Sequence, residues 1–479
     1  MITYDKLFIG GQWVAPSSTA VHELTSASTE EPIGSVPQAR QADIDRAVAA
    51  ARQAFDDPSG WAHWEPARRT DAIEQLAHQL EIRADEMARR VSSQNGMPIS
   101  IATQLEGGWP LIVLRYYANL LREASFESEQ QHLMGGTTIV RREPIGVVAG
   151  IAPWNYPQTL ASFKHAPALA AGCSIVLKPA PETLLDSFLF AEAVAATDIP
   201  PGVINIVPGG RDAGAYLVGH AGVDKVAFTG STAAGRQIAE TCGRLLRPVT
   251  FELGGKSAAI ILDDADLDLA TVGERLFESL LVNNGQTCYL STRILAPKNR
   301  YDEVIDTLAA FVTSLPVGDA LDPSTMIGPM VSCAHRERVE RFIEKGKGDG
   351  ARVVVGGTRS SRSRGWFVEP TLFADVDNAS TIAQQEIFGP VLSVIRYRDA
   401  DEAVRIANDS AYGLGGTVWT ADPERGKEVA RRIRTGTIGI NRYMPDPGAP
   451  YGGVKDSGIG RELGPDSLNA YLTYKSIYA

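Results

Sequence analysis

The 479-residue chain is long enough for two or three domains, each with a core of its own. Its 44% hydrophobic and 22% charged residues are ordinary for a globular enzyme, and a net charge of -11, with bases interleaved among acids, excludes a basic stripe for nucleic acid. No uncharged apolar run reaches the roughly 18 residues of a membrane span, so no membrane partner is expected.

The chain opens Met-Ile-Thr-Tyr-Asp-Lys, with charges where an export signal is apolar. Cys173, Cys242, Cys288 and Cys333 are scattered with no Cys-x-x-Cys pair, which fits neither a disulfide framework nor a zinc cage. No metal is expected, and thiols kept free point to the cytoplasm.

In chain order, Leu7 to Val14 reads as a hairpin broken at Gly10-Gly11. Helices follow over Asp43 to Phe55, Pro66 to Gln94 and Ala102 to Glu123, each with apolar residues three and four apart, and Asp43 heads the first as a cap. His132 to Glu143 has strand character. From Gly146 the texture changes to short β-branched runs alternating with helices: Val147 to Ile151, Ser174 to Leu177, Val203 to Val207 and Lys225 to Phe228 as strands, with helices between and after them. A second alternating series runs from Ser257 to about Ile440, with a helix over Thr271 to Val282. Two such series predict an α/β fold of two lobes with parallel sheets. Arg359, Arg362 and Arg364 read as a solvated hairpin tip. The tail Asn469 to Tyr478 is a strand outside both series, able to pair with His132 to Glu143 as an arm toward a neighbouring subunit.

Six segments carry chemistry. Pro153-Trp154-Asn155-Tyr156-Pro157 joins a strand to a helix, and two prolines stiffen the frame around an amide that can donate to a developing oxyanion; an Asx-turn accounts for Asn155 as well. Leu177-Lys178-Pro179-Ala180 ends a strand with a lysine suited to ribose or phosphate, or to snorkelling at the surface. Phe228-Thr229-Gly230-Ser231 leads into a helix whose N-terminus can meet a pyrophosphate, though it is neither a G-x-G-x-x-G nor a Walker pattern. Phe251-Glu252-Leu253-Gly254-Gly255 puts a carboxylate beside glycines that clear space for substrate or water. Asn283-Asn284-Gly285-Gln286-Thr287-Cys288 places a thiol after a polar loop, unlike the other three cysteines, which read as small buried hydrophobes. Gln385-Glu386-Ile387-Phe388-Gly389-Pro390 pairs an acid and an aromatic before a turn.

In this order the segments PWNYP, LKPA, FTGSTAAGR, FELGGKS, GQTC and EIFGP resemble the aldehyde dehydrogenase superfamily over essentially the whole chain. Pro450-Tyr451-Gly452-Gly453-Val454-Lys455 to Glu462 matches its PFGGxKxSGxGRE pattern with Tyr for Phe. The resemblance implies oxidation of an aldehyde to the acid with NAD: Cys288 as nucleophile, Glu252 as the base for water, and Asn155 with the Cys288 N–H as oxyanion hole. It implies cofactor contacts from Trp154, Lys178, Gly230, Ser231, Leu253, Glu386 and Phe388. It divides the chain into a dinucleotide-binding lobe (1–124 and 144–251, with a return at 442–464), a catalytic lobe (252–441) and an oligomerisation arm (125–143 and 465–479). A homodimer or homotetramer is expected. Many NAD-preferring members have an acid three residues after the LKPA lysine; Pro181 stands there and the acid follows at Glu182, which keeps NADP open.

By the same alignment Trp109, Tyr156, Leu160, Phe163, Tyr289 and Tyr451 line the substrate tunnel, with no fixed cation unless Arg442 turns inward. That wall suits a medium-sized apolar or aromatic aldehyde. A CoA-acylating enzyme has no need of Glu252, a structural homologue is free to lose Cys288, and a thiol hydrolase has no need of the nucleotide-facing segments.

Overall fold

The computed structural model describes every residue from Met1 to Ala479. Val147–Ile151, Ser174–Lys178 and Lys225–Thr229 are runs of mainly apolar residues buried at every position. Strands that cannot face water on either side join in parallel and take helices on both faces. With Ile204–Ile206 and Val249–Glu252 they form the parallel part of an eight-stranded sheet, edged by the antiparallel strands Leu7–Ile9, Gln12–Val14 and Gly458–Ile459. From Val147–Ile151 the chain moves outward through Ser174–Lys178 and Ile204–Ile206. It then returns to the opposite side for Lys225–Thr229 and Val249–Glu252. The reversal opens a crevice at the carboxyl ends of Val147–Ile151 and Lys225–Thr229, the usual ligand position in such sheets.

A second, seven-stranded sheet runs Arg352–Val355, Thr371–Ala374, Val391–Tyr397, Arg293–Pro297, Ala258–Ile261, Gly416–Trp419 and Gly439–Ile440, parallel except at the first pair. Large apolar clusters fill the interior of both lobes. The tail strand Leu472–Tyr478 pairs antiparallel with Thr137–Pro144, and Glu127–Gln131 completes a three-stranded arm.

Several elements differ from the sequence reading. The helix expected from Pro66 is two helices, Pro66–Glu81 and Ala84–Asn95. The Arg83 guanidinium closes the first by donating to the Gln79 carbonyl at 2.8 Å, and Asp85 and Glu86 open the second, where the helix dipole favours acids. The helix expected from Ala102 contains a π-helical stretch, Thr103–Gly108, before Trp109–Glu123. Two glycines and Pro110, which lacks an N–H, loosen the ladder there. Asp43 is not the cap of its helix. It sits in the first turn and reaches back, accepting from the Arg40 N–H at 2.8 Å and from Ser17 Oγ at 2.6 Å. His132 to Glu143 is not one strand, because Gly135 and Gly136 take positive φ and turn the hairpin. Its partner Glu127–Gln131 is polar and exposed throughout, so no alternation marked it. Missed as well was a small sheet of Ile2–Thr3, Val21–Thr25 and Pro32–Pro37.

Between the lobes, Asn283 (φ 55), Asn284 (φ 61) and Gly285 (φ 76) form a left-handed run just before Cys288. A Cβ on Gly285 would lie 2.2 Å from the Gly389 carbonyl oxygen. Gly285→Ala combines a disfavoured φ with a backbone clash, so it should destabilise the protein by about 2 kcal/mol or more. A fall in the denaturation midpoint is expected; an unchanged midpoint contradicts this role for the glycine.

Candidate active site

Asn155 follows the strand Val147–Ile151 at the crevice, in the loop that ends where Pro157 begins the helix Pro157–Ala171. Its amide is buried, and Nδ2 donates to the Gln286 carbonyl at 3.0 Å. An amide nitrogen carries two hydrogens, so one remains for another acceptor. The Asn155 carbonyl accepts from Asn95 Nδ2 (3.1 Å) and Asn283 Nδ2 (3.0 Å), which ties this loop to the left-handed run of the other lobe. That run is anchored in turn: Asn284 Nδ2 donates to the Gly96 and Pro329 carbonyls at 2.8 and 2.9 Å, and Val331 N–H donates to Gln286 Oε1 at 2.9 Å.

Cys288 emerges from this frame half-buried, while Cys173 and Cys242 are buried and Cys333 is exposed on the helix Cys333–Gly348. Cys333 is therefore not the buried hydrophobe the sequence reading made it, because only one side of its helix meets the core. Cys288 lies at the meeting of two cavities of about 310 Å³ each, one lined mainly by polar residues and glycines and one by apolar side chains.

The polar cleft is lined by Trp154, Asn155, Gly230, Ser231, Glu252, Leu253, Glu386 and Phe388 together with Cys288. Glu252 ends the strand Val249–Glu252; it is buried, and neither carboxylate oxygen has a hydrogen-bond partner. Burial first, then the neighbouring Glu462 carboxylate, hold its carboxyl well above the usual range, and Lys164 acts against them. Lys164 is itself buried, bonded to Glu462 Oε1 at 2.9 Å and to Thr229 Oγ1 at 2.6 Å. Burial also pushes the Cys288 thiol well up, reinforced by the charge of Glu252.

Along the cleft, Ser231 caps the helix Thr232–Arg244, with Oγ accepting from Ala234 N–H at 3.3 Å. Glu386 Oε1 accepts from Gly255 N–H at 2.9 Å, and a Cβ on Gly254 would lie 2.5 Å from Glu386 Oε2. The carboxyl of Glu386 is pushed up to about 7 by burial. Phe388 takes φ 64, a left-handed conformation rare for a bulky residue, and its ring meets Trp154 edge-on at 5.3 Å. Lys178 alone among the expected cofactor residues does not line this cleft. Its ammonium donates to the Pro179 and Gly209 carbonyls at 2.9 and 2.7 Å, further along the sheet edge, and burial lowers its pKa to about 8.

Sequence reasoning missed two residues of the cleft. His335 Nε2 lies 2.7 Å from the Phe388 carbonyl, and burial lowers its pKa to about 4, so the ring is neutral and donates there. Arg338 donates to the Ile387 and Glu386 carbonyls, both at 2.8 Å. Only Ser332, a helix-capping residue, hinted at the element that carries them.

The apolar cavity is lined by Trp109, Tyr156, Leu160, Phe163, Tyr289 and Tyr451. It also takes in Tyr443, missed in the sequence, whose ring stacks on Tyr289 at 4.3 Å. Arg442 is exposed and is not among the residues that line the cavity; its guanidinium lies against the Met444 sulfur at 3.4 Å. Glu278, not a cation, is the charged group of the wall.

Comparison with known proteins follows the same lines. The family described as the aldehyde dehydrogenase family matches residues 13–477. A geranial dehydrogenase of Castellaniella defragrans is 58% identical over 477 residues, covering 100% of this chain and 99% of that protein. A crystal structure of a Mycobacterium tuberculosis aldehyde dehydrogenase complexed with NAD+ has a TM-score of 0.97 at 46% identity, covering 100% of this chain and 98% of that one. Aldehyde dehydrogenase C of Pseudomonas syringae, a mutant in complex with NAD+ and octanal, has a TM-score of 0.94 at 39% identity, with 99% and 96% covered. No helix here is long and apolar enough to cross a membrane. With two α/β lobes meeting at a half-buried thiol, and a family match across almost its whole length, this chain belongs to the aldehyde dehydrogenase family.

Proposed function

We propose that the protein oxidises a medium-sized apolar aldehyde to its acid with NAD, through a thioester on Cys288 that Glu252-activated water hydrolyses. The observation that carries this reading is the position of Cys288 between a polar cleft holding Asn155 and Glu252 and an apolar tunnel.

The polar cleft fits a dinucleotide. Gly230 and the capped helix start at Ser231 present backbone to a pyrophosphate, Gly254 keeps clear the space beside Glu386, and the left-handed Phe388 gives a wall. Ser231, Lys178, Glu386, Trp154, Leu253 and Phe388 would hold the coenzyme. When bound, NAD supplies the acceptor for the hydride that leaves the substrate carbon. Glu182, one residue later than the acid of many NAD-preferring relatives, leaves NADP as a second coenzyme.

The thiolate of Cys288 adds to the carbonyl carbon, and the charge that develops on oxygen meets the free hydrogen of the Asn155 amide and the Cys288 N–H. One such donor is worth about 2.7–4 kcal/mol at the transition state. After oxidation to the thioester, Glu252 takes a proton from water. Its carboxyl is desolvated and unpartnered, so it is a stronger base than an exposed carboxylate. The Lys164–Glu462 pair keeps compensating charge close to Glu252 as it gains and loses that proton.

The tunnel supports an apolar substrate: its wall is largely aromatic and aliphatic, and Glu278 disfavours an anionic semialdehyde. The related proteins named for geranial and crystallised with octanal agree with that class. The arm supports a homodimer or homotetramer, since Leu133, Met134, Tyr474 and Tyr478 are exposed on it. We place the lobe boundaries near 252 and 441, a division supported by the change of sheet between Val249–Glu252 and Ala258–Ile261, with Glu252 itself still in the first sheet, and the cytoplasm remains the proposed location.

Cys288→Ala should abolish oxidation while NAD still binds, measured by fluorescence titration; loss of binding would contradict the separation of cleft and nucleophile. Glu252→Gln should release one NADH per site in a burst and then stall, and wild-type deacylation should rise with pH through a midpoint above the ordinary carboxylate range. A linear progress curve at the wild-type rate would falsify the role of Glu252. Among geranial, octanal and succinic semialdehyde, kcat/KM should be lowest for the last by about tenfold or more, since an unpaired charge is costly in an apolar site; a preference for it refutes the substrate class.

A further inference from the structure

Tyr451 stands where the family pattern quoted above has Phe, and its hydroxyl meets the nucleophile. Oη lies 3.4 Å from Cys288 Sγ, and the sulfur is its one hydrogen-bond partner. Tyr451 is 4% exposed. Its backbone is fixed by a two-way bridge with Glu462: Tyr451 N–H donates to the Glu462 carbonyl at 2.6 Å and Glu462 N–H to the Tyr451 carbonyl at 2.7 Å. The ring is held edge-on against Phe163 at 6.1 Å. The neighbouring phenols are engaged elsewhere, Tyr156 with Thr287 Oγ1 at 2.7 Å and Tyr443 with Thr437 Oγ1 at 2.6 Å.

We propose that Tyr451 is a catalytic residue whose hydroxyl donates a hydrogen bond to the Cys288 sulfur whenever that sulfur carries negative charge. The proposal rests on Cys288 being the nucleophile. A phenol is a weaker acid than a thiol, so the proton stays on Tyr451 and the anion stays on sulfur. When the thiolate attacks, the S–C bond forms, the carbonyl pair moves to oxygen and the hydrogen bond weakens. When the hydrated thioester collapses, the C–S bond breaks with its electron pair on Sγ, and the hydroxyl is in place to receive that charge. The bridge also joins the nucleophile's donor to Glu462, whose carboxylate pairs with Lys164 beneath the base.

Several other groups face the sulfur. After burial, Glu252 and Glu386 oppose ionisation, and Tyr451 is the largest influence favouring it, with the Cys288 N–H behind it. Tyr156, Tyr289 and Tyr443 border the sulfur from the tunnel side, each with its phenol held up chiefly by burial. His335 is neutral, and the Arg338 guanidinium is turned to backbone carbonyls across the cleft.

The test is the pH dependence of alkylation of Cys288 by iodoacetamide in the full-length enzyme without coenzyme, with the modified peptide mapped by mass spectrometry. Tyr451→Phe keeps the ring and loses the donor. Because Glu252 and Cys288 titrate as a coupled pair, the comparison is made in both the wild-type and the Glu252→Gln backgrounds. A hydrogen bond to a charged group is worth enough to move the midpoint upward by about one pH unit, a tenfold loss of thiolate at low pH. The freed thiolate is more nucleophilic, so the limiting rate at high pH should rise about threefold and the two profiles should cross. Thiolate ultraviolet absorbance, read against Cys288→Ala, gives the same midpoint independently of reagent access. A role limited to packing would scale the rate equally at every pH. An unmoved midpoint by both readouts overturns the role of Tyr451 and leaves the nucleophile standing. Failure of Cys288 to alkylate in the wild type, with label elsewhere, overturns both readings.

Discussion

Asn283, Asn284 and Gly285 hold three successive residues in the left-handed region, and the position of the sulfur follows from that turn. An asparagine there costs on the order of 1 kcal/mol, so the run persists only because the surroundings fix it. Side-chain amides of Asn95, Asn283, Asn284 and Gln286 reach backbone carbonyls on four separate segments, at residues 95–96, 154–155, 286 and 329. Net stabilisation of about 0.5–1.5 kcal/mol per hydrogen bond offsets the strain. The same bonds splice the strand-end loop of one lobe to the nucleophile loop of the other, so the amide of Asn155 and the thiol of Cys288 are parts of one frame.

That frame also explains the electrostatics. Glu252 is buried and Cys288 half-buried, and desolvation is the main reason each resists ionisation. Two groups whose charged forms repel across a small cleft will not ionise together readily, which suits the proposed cycle, with the thiolate for attack and then the carboxylate for hydrolysis. In the proposed reaction the apolar tunnel on the other side of the sulfur would hold the substrate among aromatic rings.

Much of this was legible in the sequence because glycine, proline and the order of the motifs carry backbone information. A Cβ on Gly254 would lie 2.5 Å from Glu386 Oε2, so any larger residue there forces the Glu386 carboxylate to shift. The parallel strands announced themselves as uninterrupted apolar runs. Less was legible where position depends on long-range packing. His335 and Arg338 reach the cleft from a helix whose sequence looks like any charged surface helix. Tyr443 enters the tunnel only because Thr437 holds its hydroxyl at 2.6 Å and Tyr289 stacks on it. The polar strand Glu127–Gln131 exists because Thr137–Pro144 offers it a ladder, not because of its own residues. Pairing of that kind is absent from any local window.

One measurement bears most directly on the convergence of thiol, base and amide. Glu252→Gln enzyme is mixed with NAD and octanal, quenched in acid, digested and analysed by mass spectrometry. The account predicts one octanoyl group per chain, on the peptide containing Cys288. An acyl group on the exposed Cys333, or turnover to free acid with no acyl-enzyme at all, would contradict it.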